Sequence, residues 1–564
     1  MGVKRRQDLI CGAALLLIWL AVSVPRLHGP IDLRWDASAY YVLGTALAEG
    51  KGYRLLNEPG EIRTVQYPPL VPLVVALHQR LMGTSNFFEV GWRLRILYCT
   101  LSGIFLLAVY ALARQLHAPI HALLIGAITG LSFYSFFFPS ETLYSELPFA
   151  LVSILFLLCQ RRSDQPVYAM ASGVLVVVAY LLRTAAIALL AAWVIESLIR
   201  RRFLEAMIRA AVAALPVLAW QAHIWQVTRS QEYARPAYAY QRAPYYYSNV
   251  TYRENSMLVD PFRPEAGRAN PEDLFARIIR NVAAIPLALG ESCWFAREFG
   301  LYFWEKLQRK LGISSTPDWQ SYILGAISVC LMSVGILAVI GALLHATGRE
   351  WFLSLYFGLT LGMVALTPFQ SNFWRYLAPV TPLTLIFIVS ALLMIVGWFA
   401  RRSALGRTAG LFLTAAPLAG MWLVQVIIAK DLLRNLRPVS YYDTAGRERR
   451  LRLLTYEPHW HSLDHAFEWV RRNAEPEAVV ATSVPHLAYL RTGHKAVLPP
   501  LEPDPEKANL LLDEVPVSYL VLDDLGRPPI SENYAAPAVA HCPSNWRLVY
   551  SESDGGTKVY ERVR

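Results

Sequence analysis

Charge is scarce in this sequence. Asp, Glu, Lys and Arg make up 17% of the 564 residues, and 55% are hydrophobic. Soluble domains carry about a quarter charged residues. Long apolar runs recur from Leu9 to Ile428, which excludes a soluble enzyme with a single anchor and indicates a polytopic membrane protein. Cysteine is also sparse, and the six present show no metal-ligand spacing, no Cys-x-x-Cys and no disulfide-framework density. Cys11, Cys99, Cys159 and Cys330 fall in apolar runs as packing residues; Cys293 and Cys542 fall on one side of the membrane, with nothing to indicate a bridge. No glycine-rich phosphate loop accompanies the strand-like segments near the C-terminus, which argues against a nucleotide site. Internal repeats and low-complexity segments are lacking too.

What the chain has in excess is positive charge, +11 net. Much of it sits in short clusters beside apolar runs, where basic residues set orientation, so nucleic acid is not the expected partner. The spacing predicts spans near 9–27, 92–113, 119–138, 146–160, 166–182, 184–199, 205–227, 321–344, 351–367, 376–398 and 408–429, about eleven in all. The start resembles a signal peptide but lacks a small-x-small cleavage site, so a retained first helix is expected. The apolar stretch 68–83 is too short and too rich in proline for a crossing and reads as an interfacial or re-entrant helix. Lys4, Arg5 and Arg6 put the N-terminus in the cytoplasm. Parity then places Arg114, Arg161–Arg162, Arg200–Arg202, Arg349 and Arg401–Arg402 on that side as well.

The polar mass therefore gathers on the opposite face. It comprises the loop 31–91, the turns near 139–146, Arg183 and Arg375, a loop of about 90 residues from Thr228 to Gln320, and everything beyond Lys430. The expected architecture is a mainly α membrane bundle, 1–429, followed by a small external α/β domain, 430–564. In that tail 478–484, 518–524, 546–552 and 557–563 have strand composition. Residues 462–474 read as a helix with Ser462 as its N-cap.

Several external residues are candidates for chemistry. Asp36 precedes "ASAYYVLGTALAEG", a helix ended by Gly50 and Gly52. It reads either as that helix's N-cap or as a general base for an acceptor hydroxyl. Arg183 and Arg375 fall at external span ends, where a guanidinium grips phosphate through paired hydrogen bonds; snorkelling to headgroups is the competing reading. Lys51 and Arg54 are weaker alternatives in the first loop. Glu141 reads as a sugar or acceptor ligand or as a hydrated turn carboxylate, and Glu146, a turn further in, is expected to pair with an arginine. The tyrosine cluster of 235–257 suits stacking on sugar rings or a headgroup-level position. Leu274, Ile278, Val282 and Ile285 give 271–290 the pattern of a lid on the membrane surface.

"DASAYYVLGTALAEGKGY", "YPPLVPLVVALHQRLMG" and "WRLRILYCTLSGIFLLAVYALARQL", followed by "SETLYSELPFALVSILFLL", "LLRTAAIALLAAW" and "FWRYLAPVTPL", resemble membrane glycosyltransferases of the C-type fold. The branch is that of lipid A aminoarabinose transferases, protein O-mannosyltransferases and rhizobial galacturonosyltransferase-like proteins. The likeness runs in order over residues 8 to 400 and is weaker in the tail. It implies a polyprenyl-phosphate sugar donor, a glycolipid, glycan or protein acceptor, and inverting transfer outside a bacterial inner membrane. The family's catalytic aspartate maps onto Asp36, with Tyr40 matching the aromatic four residues later. Tyr67 stands where some relatives carry a phosphate-binding lysine, so another cation must serve; Arg183 and Arg375, at external span ends, are the candidates. Tyr40, Tyr67, Glu141 and Tyr376 are then assigned to substrate. Relatives often pair the first acid with a second; here the neighbour is Ala37, and no metal or other cofactor is expected. The competing functions are a transporter or lipid flippase, for which inverted repeats and midplane charges are missing, and a noncatalytic polysaccharide-assembly subunit that would not need Asp36.

Overall fold

The computed structural model describes residues 3–312, 317–348, 350–400, 407–442, 447–526, 529–552 and 556–563. Arg349 and Arg401–Arg402, placed above on the cytoplasmic side, lie outside them. Contacts divide the chain into two units, neither continuous in sequence: 1–27 with 96–217 and 275–435, and 28–95 with 218–274 and 436–564.

Apolar helices build the first unit. Among the described residues six helices are long and apolar enough to cross a membrane: Arg5–Arg26, Phe87–Arg114, Phe203–Thr228, Trp319–Ala346, Gln370–Trp398 and Ala409–Arg434. Five shorter ones, Pro119–Leu131, Glu146–Gln160, Pro166–Leu182, Thr184–Ile199 and Trp351–Leu366, account for the remaining expected spans. The run expected over 119–138 is interrupted. Its helix stops at Leu131, and 133–137 continue as a wider π turn. Small residues let backbones meet where helices cross. A Cβ on Gly335 would collide with the Pro286 carbonyl, one on Gly290 with that of Leu331, and one on Gly341 with that of Phe387. The 271–293 helix buries Asn281, whose amide donates to the Ala365 and Thr367 carbonyls (3.0 and 2.8 Å), and exposes Phe275, Ile279 and Val282. An apolar face turned outward suits contact with lipid.

The second unit is built on strands. β1 (Arg437–Tyr442) and β2 (Glu448–Leu453) form an antiparallel hairpin. β3 (Val479–Ala481), β4 (Lys495–Val497), β5 (Val517–Leu522), β6 (Trp546–Ser551) and β7 (Lys558–Arg562) form one sheet in the order β4-β3-β5-β7-β6. It is parallel from β4 to β5 and antiparallel beyond. The four segments with strand composition are therefore β3, β5, β6 and β7. The helix beside them begins earlier than expected, at Pro458 with Glu457 in the cap position. Ser462 lies inside it and accepts from the Thr557 N–H (2.8 Å).

The first loop docks on this sheet. Asn57 exchanges backbone and side-chain hydrogen bonds with Ala496 of β4 (2.8 and 3.0 Å), and Lys495 donates to the Leu56 carbonyl (2.7 Å). Half of the tyrosine cluster proves to be core, while Tyr245 and Tyr247 are half-buried and Tyr252 is exposed. Tyr238, Tyr240 and Tyr246 are buried against Val497, Leu498 and Leu520. Tyr238 donates to Glu58 (2.7 Å), as does Tyr246, and the Tyr246 hydroxyl accepts from the Leu498 N–H (2.9 Å). These three rings, which look available for sugar in the sequence, are instead consumed in joining the 228–274 loop to the sheet. Burial pushes the Glu58 carboxyl up, against the pull of these donors.

Candidate active site

Asp36 opens the helix Asp36–Ala48. The cap position is held by Trp35, with no side-chain cap bond, so Asp36 is not the N-cap. The carboxylate is half-buried, and the Tyr67 hydroxyl donates to its Oδ1 at 3.3 Å. Tyr67 also touches Ser248 (3.5 Å) and packs edge-on to Tyr40 and Tyr247, with centroids 5.1 and 5.8 Å away. Three sequence candidates, Asp36, Tyr40 and Tyr67, thus form one cluster.

The backbone around this cluster is unusual. Trp35 (φ 57°) and Tyr67 (φ 61°) both occupy the left-handed region, where a bulky side chain costs about 1–3 kcal/mol and persists only if its surroundings enforce it. Proline follows Tyr67 twice, and the hydroxyl of Tyr53 donates to its carbonyl (2.5 Å). Such outliers cluster at functional sites.

His486, in the helix Pro485–Thr492, also faces this acid. Burial pushes its imidazole down to about 4, opposed by the charge of Asp36, and Nε2 has no hydrogen-bond partner among the described residues. The ring is therefore neutral in the fold but takes up a proton near pH 6.5 when unfolded. The stability it confers is complete above 6.5 and is lost as pH falls toward 4, roughly 3 kcal/mol in all. Melting midpoints measured between pH 7 and 4 should fall less steeply for His486→Asn than for the native chain; equal slopes would refute the assignment.

In the first unit a second cluster forms around Glu146, the first residue of the helix Glu146–Gln160. Its side chain is fully buried. Arg183 Nη1 and Arg375 Nε each lie 2.8 Å from the same oxygen, Oε1. Arg183 also donates to Ser145 (3.2 Å) and lies 5.6 Å from the Tyr376 ring; Arg375 lies 4.4 Å over Tyr144. The helix Pro166–Leu182 ends at Arg183, and the short helix Phe373–Leu377 carries Arg375 and Tyr376. One carboxylate and two guanidiniums leave a net charge of +1, with both planar forks held in place. The sequence indicated a single arginine for Glu146; the structure supplies two.

Glu141 is buried too, not a hydrated turn residue. Its Oε1 lies 3.1 Å from Arg26 Nη1, which also donates to the Phe137 carbonyl (2.7 Å). Arg26 was missed as a partner because an arginine at a span end reads as a snorkel. Lys51 and Arg54 pair with glutamates, Lys51 with Glu49 and Glu61 and Arg54 with Glu232. All six cysteines are free thiols. Among the described residues no group of three or more His, Cys, Asp or Glu is arranged to hold a metal ion.

Known proteins share this architecture. Residues 57–225 match the Alg9-like mannosyltransferase family. The archaeal oligosaccharyltransferase AglB from Archaeoglobus fulgidus, solved with an inhibitory peptide and a dolichol-phosphate, aligns with a TM-score of 0.53 at 12% identity, covering 100% of this chain and 75% of that one. The Archaeoglobus fulgidus oligosaccharyltransferase in complex with Zn and sulfate gives 0.52 at 14% identity, over 98% and 73%. ArnT from Cupriavidus metallidurans bound to undecaprenyl phosphate gives 0.42 at 13% identity, over 98% of each chain. A comparison with curated proteins finds no match. With its apolar helices, the family match and the two archaeal structures make the chain a multi-pass membrane protein with the C-type glycosyltransferase fold.

Proposed function

We propose that the chain transfers a sugar from a polyprenyl-phosphate donor to an acceptor hydroxyl on the non-cytoplasmic face of a bacterial inner membrane, with inversion at the anomeric carbon. Asp36 takes the acceptor proton as general base. Arg183 and Arg375 hold the donor phosphate and stabilise the charge it gains on leaving. Tyr40 and Tyr67 shape the acceptor side of Asp36, while Glu141 and Tyr376 line the substrate. The N-terminus is cytoplasmic and 430–564 external.

The observation that carries this reading is the half-buried Asp36 carboxylate, at the first helical position behind the Trp35 cap and accepting from the Tyr67 hydroxyl, with Trp35 and Tyr67 both in costly conformations. A bare structural cap would not require them. The dolichol-phosphate bound by the archaeal neighbour supports a prenyl-phosphate donor. A transporter would need neither feature.

The purified chain, reconstituted in vesicles with a panel of undecaprenyl-phosphate pentoses, hexoses and uronic acids, should transfer one of them to envelope glycolipid, polysaccharide or protein. Mass spectrometry of a deletion strain should show the same sugar missing from the same acceptor. An unaltered envelope, with no transfer from any donor, would sink the proposal.

A further inference from the structure

We propose that Arg34 is a positioning residue for Asp36, acting through the backbone of Trp35. This rests on the reading of Asp36 as the base.

Arg34 is 2% exposed, among the most deeply buried large side chains of the protein. Its Nε and Nη2 donate to Asp32 Oδ2 at 2.8 and 2.6 Å, and its own N–H donates to Asp32 Oδ1 at 3.0 Å. The other edge of the fork reaches across the second unit. Nη1 donates to the Thr455 carbonyl and Nη2 to that of Leu454, both at 3.0 Å. Three rings enclose the guanidinium: Trp35 at 4.7 Å, Tyr456 at 4.9 Å and Trp460 at 5.4 Å. Trp35 and Trp460 also meet edge to face, 5.5 Å apart.

A buried ion pair is weak evidence for stability, because apolar residues of similar size often do as well. What this pair fixes is conformation. Trp35 follows Arg34 directly and stands at φ 57°, ψ −134°, a region that only glycine enters readily. Thr455, whose carbonyl Arg34 grips, is in the left-handed region as well (φ 48°). The Trp35 carbonyl is held from its other side by the Ser38 hydroxyl (2.7 Å). The next residue is Asp36. With Trp35 held, the departure angle of the Asp36 side chain is set, and any relaxation of Trp35 would swing it. The charge arrangement fits the same purpose. A neighbouring cation weakens a carboxylate as a base, and Asp32 cancels the charge of Arg34, so the clamp fixes geometry without adding net charge. It also gives residues 454–460 a task in the chemistry, since they supply half of the clamp.

The test uses the full chain in vesicles, with the undecaprenyl-phosphate sugar that the native protein transfers. Trp35→Gly removes the cost of the positive φ but also the ring packed on Arg34 and Trp460, and the two offset, so its melting midpoint should stay close to that of the native protein. Its kcat should fall tenfold or more, with donor KM within twofold. A purely structural role for this loop predicts no such loss in a chain that melts close to the native midpoint. Arg34→Lys, which keeps the charge opposite Asp32 but loses the fork, should lower kcat similarly, with KM again unchanged. Native kcat in either folded variant overturns the clamp. Asp36→Asn, run in parallel, separates the two ideas. If it stays active, Asp36 is not the base; if it is inactive while Trp35→Gly turns over at the native rate, the clamp alone is wrong.

Discussion

Asp36→Asn should lower sugar transfer by roughly 10²–10⁴-fold, the usual worth of a general base, while undecaprenyl phosphate binds within about twofold of the native affinity. The amide keeps the shape of the carboxylate and still accepts the Tyr67 hydrogen bond, but it cannot take a proton from an acceptor hydroxyl. Because Trp35, not Asp36, holds the cap position of the helix and asparagine is nearly isosteric, the substitution should leave the melting midpoint nearly unchanged. The loss should appear in kcat and kcat/KM together, the signature of an interaction made in the transition state. Tyr67→Phe removes only the hydroxyl that orients the carboxylate and should cost roughly 10- to 150-fold, the worth of a single hydrogen bond to a charged group. An Asp36→Asn protein of native activity would exclude Asp36 as the base.

The second large effect is expected at Glu146. Removing one partner of a buried ion pair costs about 3–5 kcal/mol, because it strands the other. Here two arginines would lose their shared carboxylate, with side chains only 15% and 11% exposed. Glu146→Gln should therefore lower the melting midpoint substantially. If the two guanidiniums also hold donor phosphate, the ligand should restore part of the loss. Saturating undecaprenyl phosphate should raise the midpoint of Glu146→Gln by more than it raises that of the native protein, since the phosphate supplies the missing charge. Arg375→Lys should not bind the donor at native affinity, because an ammonium keeps the charge but loses the planar fork. Equal stabilisation of native and Glu146→Gln proteins by the lipid would show that these arginines serve the fold alone.

How far these features can be read from the residues depends on how far apart their partners lie. Apolar runs declare themselves, because burial in lipid or protein is written into each residue, and all eleven expected spans meet apolar helices. β5, β6 and β7 are legible for a similar reason, being five or six residues rich in Val, Leu and Tyr. β4 has only three residues, and its edge is completed by Asn57, which no local pattern can reveal. β2, "ERRLRL", looks like a solvated charge run because only alternate residues face inward. The tyrosines of 235–257 have the composition of a sugar platform. The burial of Tyr238 and Tyr246 follows from Glu58 and the sheet, about 180 and 250 residues away in the chain. Asp36 was legible as a candidate. That Arg34 nearby is enclosed depends on carbonyls contributed from the far end of the sequence.

That distance has a consequence for biosynthesis. Arg34 and the carbonyl it grips are separated by 421 residues, and a ribosome making 5–20 residues per second needs roughly 20–80 s to bridge them. During that interval the segment bearing Asp36 has emerged without its stays, and every helix between must be inserted before it can settle. A nascent or prematurely stopped chain would therefore carry the acid but not its native setting, and competence would arrive only with the last fifth of translation.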